Sequence, residues 1–263
     1  LFSSQALSTL IAAMLFFLGT QMNFKAAPKA IGRGAVLLIV RTVVGVVCTL
    51  LVVKFFGLAG FWGISSIALL CSLINGNGAL YMALMGTYGE PADVAAQSVL
   101  NVDDGPFLTL LILGASGLAA VPFLSLVAAI VPLLIGTILG NLDEDIQKFC
   151  ANGADLIIPL SGFSLGGTIN FSSILKSGIS GIVLGILVIL ISVPTTYLAD
   201  RFINRRPGYA GVGTATAAGN AIAIPAAVAL VDPAYSPFVE SASTQLAAAV
   251  IITAIVIPFL TDY

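Results

Sequence analysis

The sequence predicts an all-α polytopic membrane protein, made of inverted five-helix repeats, in which two discontinuous helices meet inside the membrane. Composition is the first observation: the 263 residues are 59% hydrophobic and 8% charged, whereas a soluble domain averages about 25% charged residues. The second observation is a series of nine apolar runs, and the third is that glycine and asparagine interrupt two of them. A net charge of −2 without a basic patch gives no indication of nucleic-acid binding.

The nine apolar runs are each long enough, or nearly long enough, to cross a bilayer as a helix. They cover about 4–22, 34–53, 61–87, 92–118, 121–140, 152–169, 177–199, 209–231 and 237–260. The connections between them are short and polar, so none has room for a soluble domain. We therefore expect a single membrane-embedded unit.

The first interruption is Asn75-Gly76-Asn77-Gly78, inside the run 61–87. The second is 217–221, followed by Pro225, inside the run 209–231. Glycine costs a helix interior about 1 kcal/mol relative to alanine, and asparagine competes for backbone hydrogen bonds. A broken helix at membrane depth is tolerated only where protein buries it or where it lines a watery cavity. Paired interruptions of this kind indicate the binding site of a secondary transporter.

An internal repeat relates the two halves of the chain. Residues 16–24 match residues 163–171 at an offset of 147, and Gly76-Asn77 matches Gly219-Asn220 at an offset of 143. The repeat predicts a first unit over 1–120 that lacks its first helix and a second unit over 121–263. We expect one further span upstream in the parent protein, giving two units of five. An odd-numbered unit re-enters the membrane upside down, so the two units are expected to be inverted.

The basic residues predict the orientation of the chain in the membrane. Seven of them fall on one predicted side: Lys25, Lys29, Arg33, Lys148, Arg201, Arg205 and Arg206. Only Lys54 and Lys176 fall on the other side. Because lysine and arginine accumulate on the cytoplasmic side, the C-terminus is expected to be cytoplasmic.

The interruptions supply the candidate substrate-binding residues. The start of a second half-helix exposes N–H groups that suit a carboxylate, glycine lets the backbone approach a ligand, and asparagine offers both donors and acceptors. The candidates at the two interruptions are Asn75, Gly76, Asn77, Gly78, Thr216, Gly219 and Asn220. The alternative interpretation is that these polar side chains only satisfy the loosened backbone.

Asp103 and Asp104 are the candidate proton-coupling residues. A carboxylate within the membrane is costly and indicates a functional site. Burial and mutual repulsion disfavour the ionised pair, so one of the two is expected to hold a proton near neutral pH. The chain has no histidine that could take this role. Asn101 and Gln97 lie on the same helix face as Asp104, and Asn101 is a further candidate for substrate binding. The alternative is that Asp103 and Asp104 reach the membrane interface as a solvated pair.

Arg41 is the arginine that lies well inside a predicted span. Two roles are open for it: an ion pair with Asp103 or Asp104, or direct contact with the carboxylate of the substrate. The alternative is that its long side chain reaches back to the cytoplasmic surface.

Several stretches resemble the 2-keto-3-deoxygluconate permease family. They are Asn75–Tyr81 (NGNGALY), Tyr88-Gly89, Asp103–Phe107 (DDGPF), Ile112–Gly114 and Gly140–Asp143. The similarity extends from about residue 16 to about residue 258. It implies proton-coupled uptake of a six-carbon keto-deoxy sugar acid across a bacterial inner membrane. It also implies a fold similar to bile-acid/sodium symporters, with two crossed broken helices, and it favours Asp103 as the carboxylate two residues before Gly-Pro.

The resulting hypothesis is a secondary active transporter for a small anionic sugar acid that works by alternating access. The proton is the expected coupling ion, sodium is possible, and no cofactor or metal site is expected. The alternatives are a sodium-coupled organic anion symporter or a cation/proton exchanger of the same fold. An intramembrane aspartyl protease with Asp104 and Asp155 is disfavoured, because Asp155 begins its span. The expected partners are the sugar acid and membrane lipid, and the oligomeric state is left open.

Overall fold

The computed structural model describes residues 4–22, 28–166 and 171–262, and these residues form helices and no strand. The first seven helices are α1 (Ser4–Thr20), α2 (Pro28–Phe56), α3 (Ser66–Ile74), α4 (Gly78–Tyr88), α5 (Pro91–Ala95), α6 (Gln97–Leu100) and α7 (Pro106–Ala115). The next seven are α8 (Phe123–Leu142), α9 (Glu144–Cys150), α10 (Gly153–Gly166), α11 (Phe171–Phe202), α12 (Tyr209–Thr214), α13 (Ile224–Val231) and α14 (Val239–Asp262). Short 3-10 helices cover Asn101–Asp103, Gly219–Ala223 and Pro233–Phe238.

Six helices or continuous helix pairs among the described residues are long and apolar enough to cross a membrane. A seventh is the pair Pro91–Asp103 and Pro106–Ala115, which bends by 56°. The chain is therefore a multi-pass membrane protein. The predicted spans 4–22 and 152–169 correspond to the shorter helices α1 and α10, so the count of nine stays a prediction. The repeat also stays a prediction, because residues 23–24 and 167–170 of the repeated segment lie outside the described residues.

The helices pack as two bundles. The smaller bundle contains α1, α8, α9 and α10, and the larger contains α2 to α7 and α11 to α14. In the smaller bundle α1 and α8 lie backbone to backbone: a Cβ on Gly19 would collide with the Leu133 carbonyl oxygen, and one on Gly136 with that of Phe16. Such close approach is typical of small residues at membrane helix interfaces. The bundles meet where α7 contacts α8 and where α10 lies beside the 3-10 helix Gly219–Ala223.

The two interrupted helices meet inside the larger bundle. The helix α3 ends because Asn75 is extended, with φ −107° and ψ 115°, and α4 begins under a cap by Asn77. The second interruption starts at Ala215, two residues before its predicted start. The Ala218 N–H donates to the Asn75 carbonyl oxygen at 3.0 Å, and the Asn77 N–H donates to Thr216 Oγ1 at 2.9 Å. These bonds join the two interruptions into one structure, the helix crossing.

The predicted run 92–118 is not one continuous helix. After the 3-10 helix Asn101–Asp103 the backbone at Asp104 is extended, and Gly105 adopts φ +80° before α7 starts at Pro106. Glycine reaches this left-handed region without the penalty of a Cβ, and proline suits the first position of a helix. The Gly-Pro pair thus makes a third break, and it places Asp103 and Asp104 at the end of a helix instead of inside one.

Candidate functional site

A cavity of about 530 Å³ lies beside the helix crossing, between the two bundles. This volume is within the range of about 300–1,000 Å³ that is usual for small-molecule sites. The larger bundle lines it with Gly76, Asn77, Gly78, Gln97, Asn101, Asp104, Gly219 and Asn220, among others. The smaller bundle contributes Gln21, Gln147, Asn152 and Asp155. Residues that are distant in the sequence therefore form one polar site.

Asn77 occupies the start of α4 at the cavity wall. Its side-chain Oδ1 accepts a hydrogen bond from the Leu80 N–H at 3.1 Å, which caps the helix. The first N–H groups of a helix have no partner within the helix and carry a partial positive charge. The first N–H groups of α4 and the side-chain Nδ2 of Asn77 therefore present donors to an anion in the cavity.

Two pairs of polar side chains extend this wall. Asn220 Nδ2 donates to Asp104 Oδ1 at 2.8 Å and links the second interruption to the third break. Gln97 Nε2 donates to Asn101 Oδ1 at 2.6 Å. Asn220 Oδ1 has no hydrogen-bond partner among the described residues, although it is buried. Asn75 Oδ1, behind the cavity, is likewise buried without a partner within the described chain.

The glycines at the two interruptions differ in the space around them. A Cβ on Gly76 would collide with Arg41 Nη1, and one on Gly78 would collide with the side-chain amide of Gln97. At Gly219 the nearest atom would be Ile158 Cγ2 at 3.9 Å, which is an ordinary contact. The collision is costly at Gly76, because three hydrogen bonds fix the Arg41 guanidinium. At Gly78 the end of the flexible Gln97 side chain would have to move, and at Gly219 there is room for a Cβ.

Four predicted site residues lie behind the cavity instead of lining it: Arg41, Asn75, Asp103 and Thr216. Asn75 is fully buried, and its Nδ2 donates to the Cys71 carbonyl oxygen of its own helix at 3.0 Å. Thr216 is also fully buried and accepts from the Asn77 N–H. The alternative considered for the asparagines, that they satisfy loosened backbone, fits Asn75.

The Arg41 side chain does not reach back to the membrane surface, because it is 2% exposed. Its Nη1 lies 3.5 Å from Asp103 Oδ2, as expected for an ion pair. Its remaining contacts are backbone carbonyl oxygens at both interruptions. Arg41 therefore faces the interior of the helix crossing and not the cavity.

The ionisable side chains of the described cavity wall are acidic. Among the described residues that line the cavity none is lysine or arginine, and two are the carboxylates Asp104 and Asp155. Asp155, Gln21 and Gln147 were not among the predicted site residues. Gln21 belongs to the repeated segment 16–24, which was the available signal, whereas nothing in the sequence near Asp155 indicates a cavity. Within the described residues no three His, Cys, Asp or Glu side chains lie close enough to hold a metal ion.

An ionic cluster fixes the start of α5, the segment that leads into the cavity wall. Arg33 contacts Glu90 at 3.0 Å and Asp93 at 2.7 Å, and Arg206 contacts the same two carboxylates at 2.8 and 3.3 Å. The hydrogen bond from Arg33, together with the charges of Arg206, Arg33 and Lys29, holds the pKa of Glu90 below its usual value. Arg206 therefore has a structural role in addition to its predicted place on the cytoplasmic side.

Comparison with known proteins assigns the chain to a family. A profile described as 2-keto-3-deoxygluconate permease matches residues 1–263. The chain belongs to the 2-keto-3-deoxygluconate permease family. The members of this family are permeases, which are transporters and not enzymes, so the protease alternative is excluded.

Individual permeases align with almost the whole chain. The 2-keto-3-deoxygluconate permease 1 of Salmonella typhimurium is 40% identical over 254 residues, which cover 97% of this chain and 80% of that protein. The permease of Bacillus subtilis is 35% identical over 257 residues, or 96% of this chain and 78% of that protein. The permease of Pectobacterium carotovorum is 37% identical, with coverage of 96% and 81%. The resemblance inferred from the NGNGALY and DDGPF stretches is thereby confirmed.

Proposed function

We propose that this permease takes up 2-keto-3-deoxygluconate, or a sugar acid very similar to it, by proton symport with alternating access. The observation that carries the proposal is the polar cavity at the helix crossing, which lies between two separately packed bundles. The names of the related permeases supply the substrate. The cavity supplies the reasons for the proton and for the movement.

The carboxylate of the substrate binds at the start of α4 in this proposal. Asn77 and the exposed N–H groups of Gly78 and Ala79 provide donors, and the helix end favours a negative charge. Asn101 and Asn220 provide amide groups for the keto and hydroxyl oxygens of the sugar acid. Arg41, Asn75 and Thr216 contribute by holding the crossing in shape and do not contact the substrate.

The charge balance of the cavity explains why a proton should accompany the anion. The described lining of the cavity contains Asp104 and Asp155 and no lysine or arginine, and Arg41 lies behind the wall, paired with Asp103. An incoming carboxylate therefore meets other carboxylates. A proton taken up by one carboxylate removes this repulsion. The substrate then raises the proton affinity of the site, and the proton raises the affinity for the substrate, because such linkage is reciprocal. Anion and proton together add no net charge.

The two walls of the cavity allow alternating access by relative movement of the bundles. The larger bundle carries Asn77 and Asp104, and the smaller bundle carries Gln147 and Asp155. Rocking the smaller bundle about a fixed helix crossing would close one side of the cavity and open the other. The cavity extends from Asn77 to Gln21 and Gln147, near the basic positions 25 and 148 in the chain. Because such residues mark the cytoplasm, this conformation is the inward-facing one and the C-terminus is cytoplasmic.

Uptake of labelled 2-keto-3-deoxygluconate into proteoliposomes tests the proposal. A pH gradient of one unit, acidic outside, should drive accumulation by up to about tenfold when one proton enters with each molecule. Accumulation should be the same in sodium and in potassium buffers. Uptake of gluconate is the control for substrate selectivity. Accumulation that requires a sodium gradient instead would establish the sodium-coupled alternative, and a lack of binding would overturn the substrate assignment.

A further inference from the structure

Arg41 lies where the first halves of both interrupted helices end. Its Nε donates to the Leu73 carbonyl oxygen at 2.8 Å, and its two terminal nitrogens donate to the carbonyl oxygens of Thr214 at 2.9 Å and Thr216 at 2.6 Å. The last carbonyl groups of a helix lack partners within the helix and carry partial negative charge. One buried guanidinium therefore satisfies both ends, which an apolar side chain would leave unpaired.

Asp103 completes the surroundings of this guanidinium. Its Oδ2 lies 3.5 Å from Arg41 Nη1, and its Oδ1 accepts from the Gly76 N–H at 3.5 Å. Three carbonyl oxygens and a carboxylate are the ligands that a hard metal cation takes in proteins. A guanidinium stays protonated in proteins, so the positive charge at this place is permanent.

Asp104 has a different environment although it is the next residue. It lines the cavity, whereas Asp103 does not, and its Oδ1 accepts from Asn220. The charged groups that face it among the described residues are Arg41 and Asp103 on the crossing side and Asp155 of α10 across the cavity. A group that carries a transported proton must exchange it with the cavity, and of the two neighbours only Asp104 reaches the cavity wall.

We propose that Arg41 is the built-in cation of the helix crossing: its guanidinium occupies the place that a bound sodium ion would need and holds Asp103 as its counter-ion, which leaves Asp104 to carry the proton. The part that concerns Asp104 rests on the proton symport proposed above. The part that concerns Arg41 rests on the contacts of its guanidinium and is tested by sodium binding and thermal stability, without a transport assay. Arg41 and Asp103 are then positioning residues, and the geometry favours Asp104 over Asp103, which the family resemblance favoured.

Asp103→Asn and Asp104→Asn are matched variants that test the division of roles. In proteoliposomes, Asp104→Asn should lose the accumulation that a pH gradient drives, about tenfold per unit of gradient for one proton. It should retain exchange of labelled for unlabelled substrate. Asp103→Asn should retain the response to the pH gradient while its Tm falls. The reverse pattern, with proton-driven accumulation lost only in Asp103→Asn, would overturn the proposal. No response in the wild type would instead refute the proton symport.

The wild-type protein tests the built-in cation directly. Its Tm and its affinity for 2-keto-3-deoxygluconate should be unchanged when sodium is replaced by choline at constant ionic strength. Saturable stabilisation of the wild type by sodium would overturn the proposal, since it would mean that a separate cation site exists.

Arg41→Ala should leave an empty cation site where the guanidinium was. Its Tm should be lower than that of the wild type and should recover in part with low, non-denaturing concentrations of guanidinium or with sodium, but not with choline. Arg41→Lys keeps a positive charge with fewer donors and should retain substrate exchange at a lower Tm, which provides a test if Arg41→Ala does not fold. The assignment would be contradicted if Arg41→Ala were as stable as the wild type. It would also be contradicted if Arg41→Lys kept the wild-type Tm but lost substrate exchange.

Discussion

The helix crossing has two faces, and they use similar polar side chains for different purposes. On the cavity face, Asn77 caps α4 and Asn220 donates to Asp104, and both residues line the cavity. On the buried face, Asn75 donates to its own helix, and Arg41 donates all its bonds to backbone carbonyls. Two asparagines that are two residues apart, Asn75 and Asn77, thus fall on opposite faces.

The difference shows that a broken helix in a membrane needs both an internal support and an open side. The unpaired carbonyls at the ends of the first halves need donors, since unsatisfied backbone is costly in a membrane protein. Arg41 meets this need on the buried face. The N–H groups at the start of α4 can remain available for a ligand only because the crossing is already held from behind.

The largest effect is expected at Gly76, where the two faces are closest. In Gly76→Ala the added Cβ displaces the Arg41 guanidinium from the carbonyl groups, so the variant should be less stable by about 1–3 kcal/mol, as for overpacking of a core. Substrate binding should be lost together with stability. Thermal unfolding of the purified protein measures the first effect, and equilibrium binding measures the second.

Gly86→Ala on α4 is the matched control, because a Cβ there would have nothing within 4 Å. It should be at least as stable as the wild type, and up to about 1 kcal/mol more stable, because alanine suits a helix interior better than glycine. If Gly76→Ala behaved like Gly86→Ala, the guanidinium would not be fixed and the buried face would not need its present shape.

An intermediate effect should distinguish Asn77 and Asn220 from Asn75. Asn77→Ala and Asn220→Ala should each weaken substrate binding by about tenfold, corresponding to roughly 1–1.5 kcal/mol for a lost hydrogen bond, and should still fold. Asn75→Ala should lower the Tm and change the affinity little. Isothermal titration of 2-keto-3-deoxygluconate measures the affinities.

Asn77→Ser separates binding from helix capping, because serine is an equally good cap for α4. It should retain the wild-type Tm but share the weakened affinity of Asn77→Ala. Wild-type affinity in Asn77→Ala and Asn220→Ala alike would remove both residues from the site.

The smallest effect concerns the ionic cluster at the start of α5. The pKa of Glu90 is held below its ordinary value of 4.5 by the hydrogen bond from Arg33 and by the neighbouring cations. A carboxylate with a lowered folded pKa stabilises the fold above its unfolded pKa, and this contribution is lost as the pH falls through the folded pKa. Glu90→Gln should therefore lower the Tm slightly near neutral pH and should weaken the loss of Tm on acidification.

Asp232 provides the comparison for this measurement. The N–H groups of Ala120 and Ala234 lower its pKa as well, but it lies away from the cavity. Asp232→Asn should alter the acid-side Tm in the same direction without changing the substrate affinity. Because the cluster holds the start of α5, Glu90→Gln should weaken the substrate affinity more than Asp232→Asn does. Equal affinities in the two variants would show that the cluster does not hold the cavity wall.

The broken helices could be predicted because they depend on local chemistry. The NGNG stretch is a poor helix interior in any surroundings, so the first interruption lies where it was predicted. The third break was missed although Gly105-Pro106 signals it, because the surrounding residues form one apolar run. Hydropathy measures how well a segment suits lipid and does not reveal a bend of 56°.

The direction of each side chain could not be predicted from spacing. Asn75 and Asn77 are both polar residues at the same interruption, yet Asn75 is fully buried whereas Asn77 lines the cavity. The position of Asp155 on the cavity depends on how the smaller bundle packs against the larger, which is a long-range property. The hydrogen bonds from Arg41 to the carbonyl oxygens of Thr214 and Thr216 join residues more than 170 positions apart.

The dissociation constant of 2-keto-3-deoxygluconate, measured against pH in sodium-free buffer, tests the central claim most directly. If the anion binds at the crossing together with a proton on Asp104, the affinity should fall by about tenfold for each pH unit on the alkaline side, because one proton must be taken up with each anion. Each tenfold loss corresponds to about 1.4 kcal/mol. Asp104→Asn should bind with an affinity that does not depend on pH. A wild-type dissociation constant that stays constant across the neutral and alkaline range would contradict the account.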